Sequence, residues 1–265
     1  MANYEFREIR KEDIPKILQL FTECYPNQNK FSKEYLVWQY FENPNGEVIG
    51  FNAWHDNEIA AHYSVIPTVF EKEDIIYNTC QTLNTTTSPH HQFKGLFIKL
   101  ANLTFDKATT KGYDFVYGAA NKNSIGGFLR KLDFELLGRI EILFGYFGNT
   151  LNYECLKQKY SNKAFKWRLN KPGSKYYICE DGIYVKKKLV WIKIKNYNFD
   201  SEQDKKNLKS SPLLSLRPFF GNDAFIGIKV PEFIKPSPWH LIVKKLKKNI
   251  EINNLKFEGI NMDTF

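Results

Sequence analysis

The stretch Thr85-Thr86-Thr87-Ser88-Pro89-His90-His91-Gln92-Phe93-Lys94-Gly95-Leu96-Phe97 reads as a strand, a tight loop with one glycine, and the start of a helix. Such a loop points successive free N–H groups at one spot. With a helix dipole behind it, it makes a cradle for pyrophosphate. A glycine between a strand and a helix is also an ordinary turn residue, so the loop alone leaves both readings open. The other reactive side chains are scattered. Cys24, Cys80, Cys155 and Cys179 stand 56, 75 and 24 positions apart. That spacing makes neither a CxxC redox pair nor paired zinc ligands, and the four read as reduced, mostly buried thiols. His55, His62, His90, His91 and His240 are equally dispersed, so no metal is expected.

Charge divides the chain. Residues 1–145 carry −3 and residues 146–265 carry +12, within a total of +9. Lys outnumbers Arg by 32 to 6 and Asn reaches 24, so a codon bias that fills solvent-facing positions is one source of the excess. An anionic partner, either nucleic acid or a phosphorylated small molecule, is the other. In the basic half Tyr176, Tyr177, Trp191 and Tyr197 interleave with Lys175, Lys186 to Lys188, Lys193 and Lys195. That pattern suits stacking platforms beside phosphate contacts and equally suits a half-buried strand.

The elements that must position these residues follow from periodicity. With 265 residues, 43% apolar and 16% aromatic, the chain has enough material for a real core. It has no apolar run long enough for a membrane span and no signal-like start, so the expected place is the cytosol. Tyr4 to Ile9 alternates as a strand, and Ile14, Ile17, Leu18, Phe21 and Cys24 keep helical spacing after Asp13. A second helix runs from Ser32 to about Phe41. Three antiparallel strands follow, at Val48 to Trp54, Ile59 to Phe70 and Ile75 to Thr86. From Gly95 to Lys111 the period is helical, Tyr113 to Tyr117 returns as a strand, a short helix starts near Ser124, and a strand around Ile140 to Phe144 closes the unit. Strand, helix, strand implies a parallel pair with a crossover helix. Beyond it, Phe165-Lys166-Trp167-Arg168 with Pro172-Gly173 echoes Tyr35-Leu36-Val37-Trp38-Gln39 with Pro44 and Gly46, a degenerate repeat. Strands are expected at Tyr176 to Cys179, Gly182 to Val185, Val190 to Ile194 and Ala224 to Val230, a loop at Lys205 to Ser211, and a helix near Trp239 to Lys248.

In that order of elements, Gln92-x-x-Gly95 at the strand-to-helix turn resembles the phosphate loop of the GNAT superfamily of acyl-CoA-dependent N-acyltransferases, Arg/Gln-x-x-Gly-x-Gly/Ala. Ala61-His62-Tyr63-Ser64-Val65-Ile66-Pro67, Thr85 to Phe97, Tyr117 to Ser124 and Lys131-Leu132-Asp133-Phe134 resemble the branch that acylates sugars. The resemblance covers residues 4–144 well and the tail loosely, through the Trp-Arg echo and Met262-Asp263. Departures stand beside it: Phe97 replaces the last Gly/Ala, Gln92 the usual Arg, Ala120 the Pro before Asn121, Asp133 the Gly before the closing Phe, and Leu129 the general-acid Tyr. The implied fold is α/β: a GNAT-like mixed, largely antiparallel sheet flanked by helices, with a second, smaller, degenerate GNAT-like half. The implied domains are 1–147, which binds acyl-CoA, and 148–265, basic, which covers the acceptor.

The implied reaction moves a short acyl group, acetyl or a hydroxyacyl such as 3-hydroxybutanoyl, from acyl-CoA to the amine of a nucleotide-linked amino-deoxy sugar, with dTDP the first candidate for the nucleotide. A peptide or protein amine is the alternative acceptor, and non-enzymatic binding of nucleic acid through the +12 half is the alternative from another class. In the family the thioester carbonyl is held by backbone N–H groups where the phosphate-side strand splays from its parallel neighbour, here about Leu83 to Thr85 against Tyr117 to Ala119. The cofactor-binding set is then Leu83, Thr85, Thr87, Gln92, Phe93, Lys94, Gly95, Leu96 and Phe97, with Asn121 for the pantetheine amides and Arg130 for the 3′-phosphate. His62, with an unperturbed pKa of about 6.5, is the first choice for the base, against simple packing beside Tyr63. Asn84 replaces a common Asp and positions substrate without accepting a proton. Trp38 and Tyr63 are the acceptor-side candidates, and no metal, membrane or nucleic-acid partner is implied; the oligomeric state stays open.

Overall fold

The computed structural model describes residues 3–28, 30–146, 155–196, 208–221, 226–231, 238–252 and 254–262. Strand β1 (Glu5–Glu8) leads to helices α1 (Ile14–Cys24) and α2 (Lys33–Phe41). Ile14, Ile17, Leu20 and Phe21 form the buried stripe of α1, and Pro15 lies in its first turn, where no amide proton is needed. Ser32 caps α2 by accepting the N–H of Tyr35 at 3.1 Å. A meander follows, β2 (Ile49–His55), β3 (Glu58–Lys72) and β4 (Ile75–Thr87), then α3 (Leu96–Thr110), β5 (Phe115–Ala120), α4 (Ile125–Lys131) and β6 (Glu135–Tyr146). β4 and β5 pair in parallel across α3, as the strand–helix–strand order requires. α1 and α2 pack with Ile59 and Ile66, whereas Leu96, Leu100 and Phe105 of α3 and Phe128 of α4 pack with Ala61, Val65, Cys80 and Val116. No helix among the described residues is long and apolar enough to cross a membrane.

The remaining residues form β7 (Leu156–Gln158), α5 (Asn162–Leu169), β8 (Tyr176–Cys179), β9 (Gly182–Lys187), β10 (Val190–Asn196), β11 (Ser215–Phe220), β12 (Ile226–Lys229), β13 (Trp239–Lys245) and β14 (Leu255–Glu258). The sheet is mixed and mostly antiparallel, as expected, and it is flanked by helices. The echo around Trp38 and Trp167 is a physical contact. The two indole rings stack with centroids 4.6 Å apart and 16° between planes. Each indole N–H donates to the other tryptophan's carbonyl at 2.9 Å.

Two expectations fail here. Trp239 to Lys245 is strand, not helix. Trp239, Ile242, Val243 and Leu246 happen to fall at i, i+3, i+4 and i+7, yet Leu241 and Val243 pack into the core on one face of the sheet and Ile242 into the core on the other. Only a central strand buries consecutive residues on opposite faces. The division after residue 147 fails for the same reason. Its junction lies outside the described residues, but β13 inserts between β5 and β6, with six residues paired to β5 from His240↔Ala120 to Lys245↔Phe115. In return the later part of β6 pairs with β11, Ser215↔Gly145 to Phe219↔Glu141. The halves exchange strands, so neither contains a complete sheet. Asp263, Tyr197 and residues 205–207 and 224–225 lie outside the described residues.

Candidate active site

The β4–β5 ladder runs from Thr79↔Phe115 to Gln81↔Tyr117 and stops, although both strands continue. β4 turns away because it carries one extra residue against β3: the register jumps from His62↔Thr86 to Ser64↔Leu83. The extra residue is accommodated at Asn84, whose φ of +53° is left-handed, a conformation that asparagine tolerates better than most residues. The gap opens into a cavity of about 970 Å³ walled by Leu83 to Thr87 on one side and Gly118 to Ala120 on the other. At Gly118 an added Cβ would lie 2.5 Å from the Thr82 methyl, so only glycine lets the two strands approach as they do. The Thr85 hydroxyl oxygen, beside the gap, is buried with no hydrogen-bond partner among the described residues.

At one end of the cavity the loop before α3 carries two left-handed residues, Phe93 at φ +60° and Gly95 at +75°. They turn the chain so that the first N–H groups of α3 face outward, without intrahelical partners. Nothing lies within 4 Å of a Cβ added at Gly95, so glycine is required there by the backbone angle and not by space. Phe97, the departure from the phosphate-loop pattern, does not block the cradle. Its ring lies edge-on to Phe128 at 5.5 Å and beside Tyr63 at 5.9 Å, packed under the helix.

Leu83, Thr85, Thr87, the run Gln92 to Phe97, Asn121 and Asn84 all line the cavity. Asn121 does so with its carbonyl already used: Oδ1 accepts the N–H groups of Asn123 at 2.9 Å and Ser124 at 3.1 Å. The oxygen expected to meet pantetheine is therefore spent on the turn. Arg130 is exposed on α4 with its guanidinium folded over Gly126, away from the cavity wall. Trp38 and Tyr63 are core residues. Trp38 is stacked on Trp167, and Tyr63 is fully buried, its hydroxyl accepting the Thr82 hydroxyl at 3.0 Å and pushed up in pKa by burial. Leu129 packs against the core.

His62 is the main correction. It has no exposed surface and no place on the cavity wall. Its Nδ1 is 2.7 Å from Asn52 Oδ1 and its Nε2 is 3.0 Å from the Tyr40 hydroxyl. Burial lowers its pKa to about 3, which makes it a weak base as well as an enclosed one. Residues that the sequence did not single out for the site also line the cavity: Tyr25 and Phe31 from the α1–α2 connection, Gln81 from β4, Trp239 from β13, and Met262. The Tyr25 hydroxyl donates to the Thr85 carbonyl at 3.2 Å. Met262 belongs to the Met262-Asp263 pair of the resemblance, but nothing local places it or Trp239 beside β4, since both reach the cavity from strands and turns far along the chain.

Residues 5–137 match the family described as "Acetyltransferase (GNAT) domain", just over half of the chain. Among solved structures the chain is similar to a probable N-acyltransferase of Enterococcus faecalis V583, with 8% identity, 92% of this chain and 73% of that one covered, and a TM-score of 0.63. It is also similar to a GCN5-related N-acetyltransferase from Kribbella flavida, with 11% identity, coverage of 92% and 72%, and a TM-score of 0.66. Eis1 from Mycobacterium abscessus aligns at 10% identity over 69% of this chain and 53% of that one, with a TM-score of 0.50. At these identities the likeness is one of fold. No curated protein sequence matches the chain.

Proposed function

The chain belongs to the GNAT acetyltransferase family, and from that premise we propose that this acyl-CoA-dependent N-acyltransferase acts on the amine of an anionic acceptor, a nucleotide-linked amino-deoxy sugar of the dTDP type. One observation carries the choice of acceptor. Among the described residues that line the cavity, Lys30, Lys94 and Lys131 bring positive charge and no Asp or Glu is present. Part of that charge meets the phosphates of CoA. A polycationic acceptor such as an aminoglycoside would then bring ammonium groups beside Lys94 and Lys131, in a lining whose described residues include no carboxylate, whereas a diphosphate-bearing acceptor is attracted.

The chain's own groups account for the steps. The loop from Gln92 to Leu96 presents N–H groups to a pyrophosphate, and the N–H groups of β4 beyond Gln81, on the side facing β5, polarise a thioester carbonyl seated over the gap. The neutral amine attacks that carbonyl, the C–N bond forms, the C–S bond breaks, and the amine's extra proton passes to water. A thiol pKa near 8.5 makes the thiolate a tolerable leaving group without the acid that Leu129 cannot supply. The test is thiol release from acetyl-CoA with three acceptors: a dTDP-linked amino-deoxy sugar, an aminoglycoside and a peptide amine. The nucleotide sugar is expected to be turned over in preference. Preference for the aminoglycoside or the peptide overturns the acceptor assignment.

A further inference from the structure

Asn84 ends a chain of side-chain hydrogen bonds whose donor–acceptor sense is set from Asp13 outward; the Tyr40 hydroxyl has a second neighbour, Ser64 Oγ at 3.1 Å, which can donate to it or to the Leu83 carbonyl at 3.0 Å. The chain starts at Asp13, whose carboxylate oxygen Oδ2 accepts the N–H of Arg10 at 2.9 Å and the Nδ2–H of Asn52 at 3.3 Å. A carboxylate only accepts, so the Asn52 amide is oriented with Oδ1 toward His62. That oxygen takes the Nδ1–H of His62 at 2.7 Å. With the ring's proton on Nδ1, Nε2 is a lone pair, and the Tyr40 hydroxyl donates to it at 3.0 Å. The Tyr40 oxygen then accepts one Nδ2 proton of Asn84 at 3.1 Å, and Gln39 Oε1 accepts the other at 2.6 Å. The other end of the Gln39 amide, Nε2, donates to the Tyr35 hydroxyl at 3.0 Å. Both amide protons of Asn84 are used. Its Oδ1 has no partner among the described residues, and the residue lines the cavity at the point where β4 departs from β5.

We infer that Asn84 Oδ1 accepts a hydrogen bond from the attacking amine, and that His62 is a positioning residue which, through Tyr40, sets the end of the Asn84 amide that faces the cleft. The inference rests on the reading that an amine is acylated in this cleft, whichever amine it is. One N–H of the amine held by Asn84 Oδ1 points the nitrogen lone pair toward a carbonyl over the gap, a gain in orientation and not in proton transfer. Every bond from the amine to Asp13 then runs in the same direction, so each polarises the next and strengthens Asn84 as an acceptor. The enclosure of His62 suits this role. A ring with a pKa of about 3 stays neutral at physiological pH, and the direction of the chain does not change with it.

The deciding variant is Asn84→Gly, which keeps the left-handed backbone and removes the amide. Amine-dependent kcat is expected to fall roughly 100-fold, the scale of losing one preorganised polar group, while the Kd for CoA measured by calorimetry stays within about twofold of wild type. His62→Leu is expected to reproduce most of that loss, and His62→Gln, which carries a donor and an acceptor at similar spacing, to recover it. Independently of activity, the ¹⁵N spectrum of the imidazoles should show His62 protonated at Nδ1 and bare at Nε2. The opposite tautomer overturns the chain. Turnover by Asn84→Gly within about threefold of wild type, or loss of CoA affinity in parallel with turnover, overturns the role of Asn84. A wild-type protein that acylates no amine overturns the underlying reading, and with it the amine contact, while the tautomer still decides the chain.

Discussion

Helices α2 and α5 begin alike. Ser32 and Ser161 cap them through the N–H groups of Tyr35 and Ala164, each serine stands six residues before its tryptophan, and each helix is followed by a three-stranded antiparallel meander. Each meander then ends in a strand with a parallel neighbour, β4 with β5 and β10 with β11. The interiors differ. Beyond β4 the space holds a cavity. Beside β10 it is filled by charge: Lys193, with no exposed surface, donates to Asp181 at 2.7 Å, and Glu258 takes Arg217 at 2.9 Å and Lys195 at 3.4 Å. Burial alone would raise the Glu258 carboxyl, but Lys195, Arg217 and Lys256 outweigh it and hold the pKa at about 2. The same supersecondary plan thus leaves an open cavity where the β4–β5 ladder stops, and makes a closed wall where side chains pair with one another. This also answers the nucleic-acid reading in part, since Lys193 and Lys195 point at carboxylates and not at solvent.

The largest test of the comparison is truncation. A chain ending at residue 147 loses β13 from between β5 and β6 and is expected to lose cooperative unfolding altogether, as followed by circular dichroism. A truncated chain that melts cooperatively and binds CoA would show that the halves are independent after all. Next is Glu258→Gln, which leaves Arg217 and Lys195 facing a neutral amide in a buried site. A loss of about 3–5 kcal/mol in denaturant unfolding is expected. The sign with pH follows from the lowered folded-state pKa: the contribution of Glu258 is fully present above its unfolded value of 4.5 and is lost as pH falls toward about 2. Unchanged acid stability in the variant would mean that the second interior is not held by this charge. The smallest effect in free energy is Gly95→Glu. It places a carboxylate where the helix N-terminus attracts anions and should weaken CoA binding at least about 30-fold by calorimetry. Because Gly95 is left-handed at φ +75°, a stability loss of about 1–2 kcal/mol accompanies it, which the sequence alone did not reveal. Intact CoA affinity in a folded variant would place the pyrophosphate elsewhere.

The loop before α3 was legible from residue order. A strand, one glycine and a helix in succession constrain a loop locally, and Gln92 to Phe97 form that loop and the start of α3 and line the cavity. The acceptor side was not. Trp38, Tyr63 and His62 have the right chemistry, but strand alternation does not reveal which face of a sheet a second layer will cover, and α1, α2 and α3 bury both faces of β3. Nothing local places Tyr25, Trp239 and Met262 in one cavity, because their neighbours in space are distant in sequence.

By itself the sequence determined what depends on local conformation: the first four helices, the crossover that makes β4 and β5 parallel, the turn at Gly95 and the tryptophan echo. Tertiary structure alone decided the exchange of β13 and β6, the stop in the β4–β5 ladder at Gln81↔Tyr117, and the enclosure of His62 behind Asn84. Short-range rules act over a few residues, so they specify elements. Pairing partners and burial are set by which distant strands complete the sheet, and that competition is resolved only when the whole core is assembled.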